Sequence, residues 1–120
     1  MVRALLDVEL EGYDLIDREL AERVRIIKVP FLVPGASGMT IGRFVLLQSD
    51  VDRSGGRELL AHELVHVRQY AELGVARFLW RYLRDYLRLL RTHRAHRAAY
   101  LAIPAEVQAR AEAAAWKLRR

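Results

Sequence analysis

The sequence predicts one α+β domain, mainly helical, with a small antiparallel or mixed sheet ahead of a motif-bearing helix. Three observations carry this. β-branched stretches fall between residues 24 and 48, long helical periodicities follow from residue 56 onward, and no linker-like or repetitive segment divides residues 1–120.

The elements follow in order. Leu5, Leu6, Leu10, Tyr13, Ile16 and Leu20 recur at roughly helical spacing, so residues 3–23 read as one helix or, with Gly12 weakening the middle, as two short ones. "VRIIKV" is β-branched and runs into Pro30, which marks Val24 to Val29 as a strand. Pro30, Pro34, Gly35 and Gly38 make a turn-rich connection. "MTIGRFVLLQ", about residues 39–48, reads as a second strand, with Gly42 as a bulge or close backbone approach. The polar loop "SDVDRSGG" leads into a helix from about Gly56 to Leu73, which Gly74 stops. From Val75, the apolar positions Phe78, Leu79, Tyr82, Leu83, Tyr86, Leu87 and Leu90 fit an amphipathic helix with that stripe toward the core. "THRAHRAAYLAI" carries weaker signals. Pro104 suits a first helical turn, and the alanine-rich remainder should stay helical almost to the end.

Composition narrows the chemistry. The 120 residues hold no cysteine, so a disulfide framework and thiolate zinc ligands are excluded. No stretch is long and apolar enough to span a bilayer, and the N-terminal residues lack an apolar signal core, which makes the cytoplasm the expected location. The net charge of +5 is mostly arginine; the first 22 residues are acidic and residues 77–97 strongly basic.

The motif is His62-Glu63-Leu64-Val65-His66, an H-E-x-x-H string. Residues four apart on a helix lie about 40° apart around it and about 6 Å along it, so both imidazoles can reach one ion. Glu63 lies on the same flank, where a carboxylate can take a proton from a water on that ion. The plain alternative is two solvated histidines that need no metal. Leu60, Leu64, Val67 and Ala71 form a separate stripe that can face the core. Catalytic zinc usually has three protein ligands, and His93, His96, Glu106 and Glu112 are the downstream candidates. Glu106 is best placed, because a last helix returning antiparallel would set its first turn beside the motif. Otherwise it is an acid that favours the helix dipole. His96 can line a substrate cleft, though an arginine-rich segment more often places such a histidine in solvent.

The segment "GMTIGRFVLLQSDVDRSGGRELLAHELVHVRQY" resembles the zincin-like domains often found near bacterial contractile injection systems, and "AYLAIPAEVQAR" resembles the glutamate segment of gluzincin peptidases. The likeness covers residues 36–73 well and 99–112 loosely. It implies a zincin-like fold, zinc as cofactor, His62, His66 and Glu106 as its ligands, Glu63 as general base, and a peptide or protein substrate. It also implies that residues 40–47, beginning Thr40, Ile41, Gly42, Arg43 and Phe44, form an edge strand to which an extended peptide adds. Arg110 stands where the integral-membrane branch has an aspartate that supports a ligand histidine. Tyr100 is a candidate to steady an oxyanion, and otherwise a packing residue.

Seven arginines, 77, 81, 84, 88, 91, 94 and 97, offer a rival reading. They can neutralise phosphates of a nucleic acid or lie on an anionic membrane surface. The plain reading is an ordinary amphipathic helix with arginines in water and Asp85 pairing locally. Trp80 falls off the stripe, among the arginines. On this reading the chain is a non-catalytic basic binding module whose H-E-x-x-H is structural.

Overall fold

The computed structural model describes residues 2–120. Its order is β1 (Val2–Ala4), α1 (Asp7–Gly12), α2 (Arg18–Arg23), β2 (Arg25–Lys28), β3 (Gly38–Ile41), β4 (Phe44–Leu47), α3 (Glu58–Leu73), α4 (Val75–His93), α5 (His96–Ala102) and α6 (Pro104–Leu118). The α+β class therefore stands, and the sheet is mixed. Its strand order is β1-β2-β4-β3, with β2 and β4 parallel and the outer pairs antiparallel.

Two differences from the sequence reading have clear causes. Residues 3–23 are not one helix: β1 opens the chain, α1 ends at Gly12, and α2 starts only at Arg18. The single strand over 39–48 is a hairpin. Gly42 has φ +64° while Arg43 has a negative φ, the sign pattern of a two-residue II′ turn. Gly42 thus turns the chain rather than bulging it, and Ile41 pairs with Phe44 across the turn.

β1 is held by one arginine. Arg3 uses all five of its N–H donors: Nε and Nη2 reach Asp50 at 2.7 Å each, Nη1 and Nη2 reach Glu9 at 2.6 and 3.0 Å, and Nη1 also donates to the Ala4 carbonyl. Glu9 is fully buried and also accepts from the Leu6 N–H at 2.9 Å, which fixes the start of α1. The charge fork therefore ties strand, first helix and the loop before α3 into one unit.

The core lies between the sheet, α3 and α6. Ile26, Val45 and Leu47 face it from the sheet, Leu60, Ala61, Leu64 and Val67 from α3, and Ala113 and Trp116 from α6. α3 is central and buried on most sides, so the stripe expected to end at Ala71 is wider at its middle and stops before Ala71, which is exposed. Trp116 stacks on Tyr13 at 5.1 Å between centroids and donates to the Gly12 carbonyl, which closes the N-terminal segment over α6.

α4 departs from expectation. Its stripe does not all turn inward: Phe78 is its one buried residue, Tyr82 and Tyr86 are half-buried, and Val75, Leu79, Leu83 and Leu87 are exposed. The apolar sector is wider than the side of the helix that α3 and α5 can cover. Asp85 does pair locally, with Arg84 and Arg88.

The Arg3 fork makes two outcomes testable by urea unfolding. Arg3→Met leaves the buried Glu9 carboxylate without a cation and Asp50 with only the more exposed Arg53 at 3.3 Å, and should cost about 3 kcal/mol. Hydrogen bonds from Arg3 hold the Asp50 carboxyl below its ordinary 3.8. A folded value below the unfolded one supplies stability that is complete above 3.8 and is lost as the pH falls through the folded value, so the acid-side loss should shrink in Arg3→Met.

Candidate metal centre

α3 turns His62 and His66 to the same flank, with ring centroids 5.0 Å apart. The third member arrives from α6. Pro104 opens that helix at its first position, and Glu106, Ala109, Ala113 and Trp116 form its buried stripe. Glu106 therefore points at α3 because it continues the stripe that packs there. One oxygen of its carboxylate lies 2.8 Å from His62 Nε2, and the other 3.1 Å from His66 Nε2. One ligand atom from each of the three residues lies within 4.8 Å of the others.

The hydrogen bonds around His66 define which nitrogen is free. Gln69 Nε2 donates to the Ala105 carbonyl and to Gln108 Oε1, which turns Gln69 Oε1 toward the ring at 2.7 Å from Nδ1. Nδ1 therefore carries the proton, and Nε2 presents a lone pair. That Nε2 is buried without a hydrogen-bond partner, because the nearby Glu106 oxygen lies off its bonding direction. A lone pair and a carboxylate oxygen at this distance repel, and a cation or a proton between them removes the conflict. Without a metal, burial opposes charge on His66, but Glu106 outweighs it and raises the imidazole's pKa. The donor set of two imidazoles and one carboxylate suits Zn²⁺.

The two carboxylates differ. Burial pushes the Glu63 carboxyl up, partly offset by the two histidines and by the Thr40 hydroxyl, which donates to Glu63 Oε1 at 2.9 Å. Burial also acts upward on Glu106, yet the His62 hydrogen bond and the His66 ring beside it bring it far below the carboxylate range. Tyr82 adds a 2.6 Å hydrogen bond to Glu106 Oε2. A methyl group on Gly38 would stand 3.2 Å from Glu63 Oε2 and 3.2 Å from Leu47 Cδ2. The close approach expected at Gly42 is therefore at Gly38.

A cavity of about 300 Å³ runs beside β3, between that strand and α4. Its wall is mainly apolar, with Met39, Ile41, Phe78 and Leu79, and Glu63, His66 and Glu106 border it. Tyr100 also lines it, its hydroxyl kept protonated chiefly by burial and then by Glu106.

The remaining candidates lie elsewhere. His96 is exposed, and its Nδ1 meets the Tyr86 hydroxyl at 2.9 Å. His93 is exposed at the end of α4. Glu112 is taken by a two-pronged pair with Arg68, at 2.8 and 2.6 Å. Arg110 donates to the Leu101 carbonyl and supports neither histidine. Gln69 fills the supporting role for His66 that the missing aspartate left open.

The expected edge strand is shorter than residues 40–47. β3 alone is the edge, Gly42 and Arg43 are the turn, and Phe44 begins β4, which is paired on both sides. The Gln48 N–H to Ser37 carbonyl bond and the register put Met39 and Ile41 in the hydrogen-bonded pairs, so Gly38 and Thr40 turn their backbone groups outward. The Tyr70 hydroxyl already caps the Thr40 carbonyl at 3.1 Å.

The sequence reading did not identify Gln69 or Tyr82 as site residues. Gln69 was legible as the residue one turn beyond His66. Tyr82 was hidden in the apolar stripe of α4.

The family model for the eCIS core domain matches residues 33–74, the stretch spanning β3, β4 and α3. This links the chain to extracellular contractile injection systems. No curated protein and no solved structure matches the chain.

Loss of the Gln69 acceptor should free the His66 ring to rotate. Gln69→Ala is expected to lower Zn²⁺ affinity about 10–100-fold, read by competition with a chromogenic chelator.

Proposed function

We propose that the chain is a zinc-dependent peptidase of the contractile-injection-system context, acting on an extended peptide or protein segment. The observation that carries this is the unpartnered, buried His66 Nε2 facing the Glu106 carboxylate, with His62 beside it and the raised Glu63 carboxyl one residue along α3. His62, His66 and Glu106 would hold the ion, which supplies Lewis-acid polarisation of a carbonyl and an acidified water when bound.

The chain's own residues do the rest. The substrate backbone lies along β3 and pairs with the outward groups of Gly38 and the outward N–H of Thr40, whose carbonyl Tyr70 holds. Glu63 is the general base. It removes a proton from the attacking water and delivers it to the departing amide nitrogen. Its raised pKa suits both transfers, since an ordinary carboxylate is too weak a base and gives up its proton too early. Thr40 steadies the Glu63 oxygen that is not needed for the transfer. Tyr100, protonated at the cavity wall, donates to the substrate oxygen as negative charge develops. The apolar wall of Met39, Ile41, Phe78 and Leu79 favours an apolar side chain next to the cleaved bond.

Elemental analysis of purified protein should find close to one zinc per chain, and His62→Ala or Glu106→Gln should remove most of it. Glu63→Gln should keep the metal and lower cleavage of a fluorogenic peptide mixture by about 10²–10⁴-fold. Wild-type protein that carries no zinc after growth in zinc-supplemented medium refutes the reading. So does cleavage that survives Glu63→Gln unchanged.

A further inference from the structure

α4 has a face that nothing in the fold covers. Leu83 and Leu87 stand one turn apart, 56% and 51% exposed, and Trp80 beside them is 63% exposed; Leu79, a turn earlier on the same row, borders the cavity beside β3. Beyond Trp80 the helix presents Arg77, Arg81, Arg84, Arg88 and Arg91. Of these five arginines only Arg84 and Arg88 have acidic partners among the described residues, and both share Asp85. The exposed row and the arginines lie side by side along the 19 residues of the helix.

We propose that this face is a peripheral binding surface for an anionic lipid bilayer. The leucine row enters the acyl boundary, and the arginines next to it meet lipid phosphates, which a guanidinium can bind with two donors at once. Trp80 stands at the border of the two zones, with the Arg84 guanidinium 5.1 Å from its ring centre. An indole at that depth is where a bilayer places it. No helix is long and apolar enough to cross a membrane, so α4 lies on the surface rather than through it.

Two other occupants fit less well. A nucleic acid would use the arginines, but it would leave the leucines beside them in water, and Trp80 is the one exposed aromatic on α4 on which a base could stack. A second copy would bury the leucines but bring arginine against arginine, since Asp85 is the one acid on α4 and is already paired.

The test is co-sedimentation of the whole chain with vesicles of equal parts phosphatidylcholine and phosphatidylglycerol, against phosphatidylcholine alone. Binding to the anionic vesicles is expected, with a blue shift in tryptophan emission. Trp116 is buried, so the shift reports Trp80. Arg91→Gln should weaken partitioning about fivefold, and Leu83→Asp about tenfold or more. Unchanged thermal unfolding checks that each variant folds, and Leu87→Gln stands in if Leu83→Asp does not. Failure to pellet with anionic vesicles overturns the proposal, as does binding without a blue shift or binding indifferent to the leucine substitutions. Tighter capture by duplex DNA or polyglutamate than by the vesicles would also overturn it.

Discussion

The close approach of α6 to α3 is the constraint on which the candidate centre depends. Two alanines, Ala109 and Ala113, lie on the packed side of α6 and let its backbone come near. Glu106 sits one turn before Ala109 on the same stripe, so the helix contact that builds the core also carries its carboxylate to the two imidazoles. Larger side chains at the alanine positions would push α6 outward and withdraw the carboxylate with it. The Arg68–Glu112 pair and the Trp116–Tyr13 stack hold the same helix farther along. Fold and site therefore share one contact.

The two carboxylates show how environment assigns roles. Both are deeply buried, yet Glu63 is pushed up and Glu106 pulled down. The difference is in their neighbours. Glu63 has one side-chain hydrogen bond, from Thr40, and feels the two histidines without a bond to either, whereas Glu106 meets both rings and the Tyr82 hydroxyl directly. One carboxyl is thus set for carrying protons and the other for remaining an anion.

Much of this was legible in the residues. The H-E-x-x-H spacing put His62, Glu63 and His66 on one flank, and Pro104 marked the start of the helix that delivers Glu106. Local signals of helical period, Gly74 and Pro104 marked the end of α3 and the starts of α4 and α6, while the end of α4 at His93 carried no such signal. The short pieces resisted: β1 is three residues long and exists because β2 pairs with it and Arg3 anchors it, both contacts distant in sequence. The hairpin resisted because the β-forming residues on both sides of Gly42 and Arg43 read as one run, and a lone glycine marks a turn and a bulge alike. The outer face of α4 resisted for another reason. Periodicity says which residues share a face, but how much of a wide face finds a neighbour depends on the size of the whole body.

α4 also joins two surfaces that are usually kept apart. Tyr82 on its inner side donates to Glu106, while a residue further on Leu83 stands in the open. A rigid helix cannot tilt on one side alone, so a shift in its outer footing moves the hydroxyl that steadies the carboxylate. Phe78 on the same inner side meets the His66 ring edge-on at 6.2 Å, so the seating of this one rod sets two of the contacts around the histidine cluster.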